Sequence, residues 1–493
     1  MRESIRFISR GQPVELHDIE PTAMLLDHLR LAEGRRGTKE GCAEGDCGAC
    51  TIALGRRVNG RLVYQPVNAC ILLLGMADGA EIVTVEDLAA PDGTLHPVQQ
   101  ALVEQHGSQC GFCTPGFVMS LFTLYHAGQA ATRESVNDCI AGNLCRCTGY
   151  RPIVDAGLQA IDGKPADRFA AARAETEKRL AELDDGADIF IGDSARFFAA
   201  PASIEALARL YEEHPDATIV AGATDVGLWI TKHLKDLPKI IHLGRVAGLD
   251  AVAESEDALV IGASATYAAV EDRIARLDPD LGELWRRLGA KQVRASGTVG
   301  GNIANGSPIG DTPPALIALD AELELQKGAE TRRLALEDFF LDYGKQDRAP
   351  GEFVARVRVP KPGPDHAFRC TKISKRFDQD ISAVMGAVRL TLDGRTISAA
   401  RIAYGGMAAI PKRAKVAEAA LAGASLDEPA SWTAALDALG KDLTPIDDLR
   451  ASAAYRSTAA RAVLEKALIE IAGGDDRDTR VVGHREGLHE RVA

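Results

Sequence analysis

Residues 40–51 read EGCAEGDCGACT, and a fourth cysteine, Cys70, follows 20 positions after Cys50. Cys42, Cys47 and Cys50 are thus spaced C-x4-C-x2-C with a distant fourth member, the spacing of plant-type [2Fe–2S] sites. A loop that wraps inorganic sulfide must bring its backbone close and turn N–H groups inward. Gly41, Gly45 and Gly48 permit both. The competing reading is a structural zinc site, whose ligands usually come as two close pairs. A lone fourth ligand beyond a strand pair fits that pattern poorly.

A second set of cysteines lies downstream, in GSQCGFCTPGF (107–117) and GNLCRCTGYRPI (142–153). Alone, the C-x2-C of Cys110 and Cys113 suits zinc or a redox thiol pair. Cys145 and Cys147 cannot share a helix face, since i and i+2 are roughly 200° apart. In a strand they would point to opposite faces. If both serve one centre, they sit on a loop, and two loops at one end of a helical bundle can present four thiolates to one site. Cys139 falls in a helical pattern and Cys370 in a strand-like one, and both read as buried thiols. Nine of the ten cysteines fall within residues 42–147, a clustering that suggests metal ligands rather than disulfides.

At 493 residues the chain is too long for one core. Short strands and one helix (22–32) fill residues 1–85, a small α+β domain. Residues 86–162 switch to four helices, with Pro97, Pro115 and Pro152 near the first turns of three, where a missing N–H costs little. An Ala-rich, charged, partly helical linker spans 163–190. An alternating unit follows over 191–362, a further α+β segment over 363–473 and a polar tail over 474–493. A net charge of −13 with dispersed Lys and Arg argues against a nucleic-acid surface. The N-terminus lacks a signal-peptide stretch, and ILLLGMA (71–77) is too short to span a bilayer, so a cytoplasmic protein is expected.

In the alternating unit, IVAGATDVG (219–227) reads as a strand, a Gly-containing loop and then a helix, LWITKHL, which offers backbone N–H groups to a pyrophosphate. The G-x-G-x-x-G spacing is absent, so a Rossmann site is not supported. TVGGNIANGSPIGD (298–311) offers further small residues and loop amides, with Asp311 able to accept from a ribitol or ribose hydroxyl. Tight turns explain most glycines. Two such loops downstream of two cysteine clusters favour a flavin, which exchanges electrons singly with the clusters and in pairs with NAD.

The three cysteine stretches together resemble the N-terminal iron–sulfur region of the molybdenum hydroxylases, the xanthine oxidase family, and the downstream segments extend the resemblance over nearly the whole chain. It implies a multidomain α+β chain. The parts are a ferredoxin-like β-grasp [2Fe–2S] domain, a four-helix-bundle [2Fe–2S] domain, a two-part FAD-binding domain of the vanillyl-alcohol oxidase-like type and an α+β C-terminal domain. By motif match it places FAD contacts on Ile219, Val220, Ala221, Gly222, Ala223, Thr224, Asp225 and Val226, and on Thr298, Gly300, Gly301 and Asn302. Further contacts fall on Asp311, Val354 and Lys372, and on Leu288, where relatives can carry a phenylalanine. Tyr343 falls on the NAD side, although a domain-packing tyrosine reads as well there, and the resemblance sets Gln109 toward a partner's pterin. The resemblance is best to purine-oxidising members built from two subunits. It implies a separate large subunit with the molybdenum cofactor, doubled as a heterotetramer, and electron relay through two [2Fe–2S] clusters and FAD to NAD. No catalytic residue is expected on this chain. The alternatives are a subunit acting on aldehydes or N-heterocycles, a stand-alone NADH-linked iron–sulfur flavoprotein, and a non-catalytic protein with two zinc sites.

Overall fold

The computed structural model describes residues 1–480; of the polar tail read at 474–493, residues 481–493 lie outside the described residues. The chain divides into two compact units, Met1–Ala247 with Gly289–Gly297, and Gly248–Leu288 with Thr298 onward. The stretch 191–362 therefore contributes to both.

The first unit begins with strands β1 (Ile5–Ser9), β2 (Gln12–Leu16), β3 (Thr51–Val58), β4 (Arg61–Asn68) and β5 (Glu81–Val83) in one sheet of order β2-β1-β5-β3-β4. Only β1 and β5 run parallel. Strand alternation sends neighbouring residues to opposite faces, and β3 is buried on both. Ile52 and Leu54 join a core with Leu25, Leu29 and Ile71, while Ala53 joins another with Phe117, Leu121 and Phe122. The helix expected at 22–32 is shorter, Leu25–Asp27, and continues as a wider turn over His28–Ala32.

Four helices follow: Pro97–Glu104, Thr114–Tyr125, Arg133–Ile140 and Arg151–Ala160. Pro97, Pro115 and Pro152 each stand in a first turn, as the sequence suggested. The helix Thr114–Tyr125 is buried nearly all round and packs on β3.

The segment read as a linker forms a 16-residue helix, Arg168–Leu183, packed across β1, β3 and β4. It also covers an edge: Leu62 of β4 donates its N–H to Glu177 (2.8 Å) and accepts at its carbonyl from Arg173 (3.0 Å). Unpaired edge groups are thereby occupied. A second sheet of the same unit holds β6 (Ile189–Gly192), β7 (Phe197–Ala200), β8 (Thr218–Val220) and β9 (Lys239–His242) in the order β6-β7-β9-β8. Its Ile189, Phe198, Val220 and Ile240 share the core of Ile52 and Leu54.

The second unit has a five-stranded antiparallel sheet of β10 (Val252–Glu254), β11 (Ala258–Gly262), β12 (Glu322–Lys327), β13 (Glu330–Ala335) and β16 (Phe353–Pro360). A hairpin of β14 (Phe340–Asp342) and β15 (Lys345–Gln346) precedes β16. A meander of β17 (His366–Ile373), β18 (Val384–Asp393), β19 (Thr396–Gly405) and β20 (Lys412–Arg413) is backed by the helix Ala453–Ile471. Among the described residues no helix is long and apolar enough to cross a membrane.

Asp167 caps the Arg168–Leu183 helix through Ala170 N–H (2.8 Å), and its other oxygen receives His96 Nε2 (2.8 Å) and His126 Nε2 (2.9 Å). His96 Nδ1 accepts from Val98 N–H, so its proton lies on Nε2. That tautomer makes the trio a helix latch rather than a ready metal site. Burial works to raise the Asp167 carboxyl, but hydrogen bonds from His126, His96 and Ala170 outweigh it and hold it well below the usual carboxylate range. Stability from a depressed carboxyl is present above its unfolded pKa, ~3.9, and is lost as pH falls through the folded value. Replacing Asp167 with Asn should cost about 2 kcal/mol near neutrality. Urea midpoints of the two proteins should converge below about pH 4.

Candidate functional site

Cys42, Cys47 and Cys50 lie on the loop entering β3, and Cys70 follows β4. Ala43, Gly45 and Gly48 all have positive φ (55°, 77° and 67°), which curls the loop round its own sulfurs. Cys47 N–H points at Cys42 Sγ (3.3 Å), and the Cys50 and Cys70 sulfurs are 3.3 Å apart, too far for a disulfide. Asn68 Nδ2 donates to Gly45 O (2.8 Å) and stitches the loop to β4. A Cβ on Gly41 would sit 2.8 Å from Cys47 Sγ, so the backbone there touches the sulfurs directly.

Hydrogen bonds from Cys47 and Cys70 draw the Cys42 thiol down, while those with Cys42 and Cys50 push Cys70 up. Four sulfurs so placed cannot all ionise without a cationic centre, and the set fits a thiolate-held iron–sulfur group.

The second set is built at helix ends. Cys113 is the N-cap of Thr114–Tyr125, and Cys145 and Cys147 occupy the loop before Arg151–Ala160. Cys145 Sγ accepts from Cys147 N–H and Thr148 N–H, both at 3.4 Å. The C-x-C therefore folds round its first sulfur. Gly149 and Tyr150, both at positive φ, turn the chain into the next helix, and Tyr150 Oη accepts from Cys145 N–H (2.9 Å). Cys113 faces Cys145, and Cys110 faces Cys147. Burial, then the Cys145 sulfur, push the Cys113 thiol up to about 12. Cys110 and Cys147 are exposed, whereas Cys50 and Cys70 are buried. Gln109 is exposed beside Cys110. Cys139 is fully buried in Arg133–Ile140, and Cys370 is buried in β17.

The flavin-motif residues Ile219–Val226 lie in the first unit. Ile219 and Val220 end β8, and Ala221 to Asp225 form a turn in which Ala223 has φ +58°. The following helix is Val226–Thr231, earlier and shorter than the LWITKHL reading. Gly222 has no room for a side chain, since a Cβ would lie 1.9 Å from Ser296 O. Thr231 Oγ1 donates to Ala43 O (2.7 Å), and a Cβ on Gly227 would meet Ile71 O at 2.7 Å. The flavin-motif segment thus abuts the loop of Cys42 and the residue after Cys70.

The other flavin-motif residues lie in the second unit. TVGGNIAN is not a loop but a helix, Val299–Asn305, capped by Thr298 Oγ1 at Gly301 N–H (3.0 Å). Glycine is used for contact here: a Cβ on Gly300 would lie 2.5 Å from Ala263 Cα. Asn302 Oδ1 accepts from Thr312 (2.9 Å). Asp311, read as an acceptor for a ligand hydroxyl, already accepts from Lys372 Nζ (2.6 Å) and Ser382 Oγ (2.5 Å) in a buried trio. Val354 is buried in β16, and Leu288 lies in the turn after the helix Pro279–Arg286. Tyr343 stands 71% exposed at the tip of the β14–β15 hairpin.

Three family models match: the FAD binding domain in molybdopterin dehydrogenase (residues 193–362), a [2Fe-2S] binding domain (84–158) and the CO dehydrogenase flavoprotein C-terminal domain (369–471). The chain belongs to the molybdenum hydroxylase family. Among members of this family, it is 31% identical over 460 residues to xanthine dehydrogenase of Drosophila pseudoobscura pseudoobscura, a match covering 82% of this chain and 34% of that protein. Xanthine dehydrogenase of Emericella nidulans is 29% identical over 498 residues, with 89% and 36% covered. The chain thus spans about a third of the length of the curated relatives it matches. A solved Cu,Mo-CO dehydrogenase chain is 28% identical with TM-score 0.53, covering 56% of this chain and 96% of its own. Quinoline 2-oxidoreductase from Pseudomonas putida 86 is 26% identical with TM-score 0.51, covering 57% and 98%.

Two groups of residues had no signal in the sequence. Asn143, Ser120 and Gln292 form a buried polar cluster between the cysteine loops, and His96, His126 and Asp167 form the latch. Both depend on partners remote in sequence. The two cysteine loops themselves are in contact, for a Cβ on Gly48 would lie 2.1 Å from Gly142 O, in backbone at φ +67°. Gly48→Ala should therefore cost about 3 kcal/mol or more in strain and displacement. Iron per chain should fall well below that of the native protein, and full retention would mean that the loops can part.

Proposed function

We propose that this chain is the iron–sulfur/FAD component of a xanthine dehydrogenase. In this reading a large partner carries the molybdenum cofactor and oxidises hypoxanthine and xanthine to urate. The present chain passes the electrons through two [2Fe–2S] clusters and FAD to NAD, in an assembly of two copies of each chain. The observation that carries the reading is the chain of contacts within the first unit. The loop of Cys145 is bonded to that of Cys47, and the loop of Cys42 is bonded to the flavin-motif helix through Thr231.

Cys42, Cys47, Cys50 and Cys70 would hold one cluster, and Cys110, Cys113, Cys145 and Cys147 the other. Ile219–Val226, Leu288, Thr298, Gly300, Gly301, Asn302, Asp311, Val354 and Lys372 would hold FAD. When bound, these groups supply the one- and two-electron chemistry. The protein's own part is placement. Glycine backbone lets the loops close on sulfur, amides of Cys47, Cys147 and Thr148 point at ligand sulfurs, and burial of Cys50 and Cys70 keeps water from that side. The exposure of Cys110 and Cys147 favours that site as the one facing the molybdenum partner, with Gln109 toward its pterin. Tyr343 is proposed on the NAD side.

A carbon monoxide or N-heterocycle hydroxylase is the second reading, favoured by the solved relatives. Those matches cover 56–57% of this chain, whereas the xanthine dehydrogenases align over 82–89% of it. The purified complex should contain iron, flavin and molybdenum and reduce NAD with xanthine. Cys147→Ser should remove most xanthine-dependent NAD reduction while NADH-to-dye reduction stays near native. Equal loss of both would count against the order of relay, and oxidation of quinoline or carbon monoxide but not xanthine would select the second reading.

A further inference from the structure

The two cysteine loops meet along a seam. Cys47 O accepts from Leu144 N–H at 2.9 Å, and Leu144 immediately precedes Cys145. From the Cys47 sulfur to the Cys145 sulfur the path is therefore one side chain and carbonyl, a single hydrogen bond, one residue and a second side chain. Beside it, Asn143 Nδ2 donates to Gly48 O (3.0 Å) and Thr51 Oγ1 (3.3 Å). A Cβ on Gly116 would lie 2.2 Å from Gly48 O, so nothing else enters from that side.

Into this seam reaches Gln292, on the short helix Lys291–Ser296, which the chain returns to the first unit from far downstream. Its Nε2 lies 3.1 Å from Asn143 Oδ1 and 3.2 Å from both Thr51 Oγ1 and Ser120 Oγ. Its Oε1 is buried against Gly142, where a Cβ would lie 2.1 Å away, and has no hydrogen-bond partner. The residue is 1% exposed. An orphaned carbonyl is a cost that an apolar side chain of the same size would avoid. What the amide provides in return is a grip on Asn143 and Thr51, one on each loop.

We infer that Gln292 is a positioning residue for electron transfer between the two cysteine sites. By clamping Asn143 to Thr51 it holds the Leu144–Cys47 hydrogen bond, the bridge over which the electron crosses. The inference rests on the reading above, that both sites hold [2Fe–2S] clusters. One electron would pass from a cluster held by Cys110, Cys113, Cys145 and Cys147, oxidised by one unit, to one held by Cys42, Cys47, Cys50 and Cys70, reduced by one. No covalent bond breaks, and the Leu144 proton stays on nitrogen. The side chain of Leu144 is 42% exposed and takes no part.

The test uses the full-length chain carrying its clusters, as native protein, Gln292→Met, Asn143→Ala and, as control, Leu144→Ala. Three quantities are read: iron per chain, hydrogen exchange at the amide of residue 144, and the rate of one-electron equilibration between the clusters after photochemical reduction, counted on iron-replete chains. Gln292→Met and Asn143→Ala should keep their iron, and exchange at residue 144 should speed up about tenfold, equivalent to ~1.4 kcal/mol of local protection. Equilibration should slow by about the same factor. Leu144→Ala should match the native protein in all three. Variants that equilibrate at the native rate, or that retain no iron at all, would make Gln292 a packing residue and overturn the inference. Native protein with iron for only one cluster would overturn the functional reading itself, and the inference with it.

Discussion

Strand β3 has both faces buried, and most of the first unit is arranged by that constraint. Ile52 and Leu54 are held in one core and Ala53 in another. A slip of one residue would exchange the faces, so the register is strongly fixed. Cys50 stands directly before the strand and Thr51 is its first residue. The hydrophobic pattern of β3 therefore sets where the first cysteine loop ends. The helix Thr114–Tyr125, packed on the strand's second face, sets where Cys113 begins. The two sites are positioned by the same few side chains.

The two cysteine sets differ in burial. One has two buried sulfurs and abuts the flavin-motif helix through Ala43 and Ile71. The other presents Cys110 and Cys147 at the surface. An inner site between an outer site and a flavin segment is the arrangement a relay requires. In each loop the turning is done by residues at positive φ, Gly45 and Gly48 in one and Gly149 and Tyr150 in the other.

Much of this was legible in the sequence because it is local. Short cysteine motifs, glycines beside cysteines and prolines at first turns are read within a dozen residues, and the prolines stand in first turns and the C-x-C on a loop as expected. What was not legible depends on distant partners. Val299–Asn305 looked like a glycine-rich loop, yet Thr298 caps it as a helix and the glycine serves the contact with Ala263. Asp311 was legible as an acceptor, but that Lys372 and Ser382, 61 and 71 residues on, each donate to one of its oxygens was not. Gln292 in GAKQVRAS carries no pattern at all, and its place follows only from the return of that segment to the first unit.

The helix Arg168–Leu183 has a consequence for how such chains can be divided. Its Arg173 and Glu177 hold the carbonyl and amide of Leu62 on the outer strand of the small sheet. Cutting the polypeptide ahead of this helix would free that strand to pair with its counterpart in another molecule. A gene fission at this junction would need a replacement cover for the strand before the amino-terminal half could remain monomeric in a crowded cell.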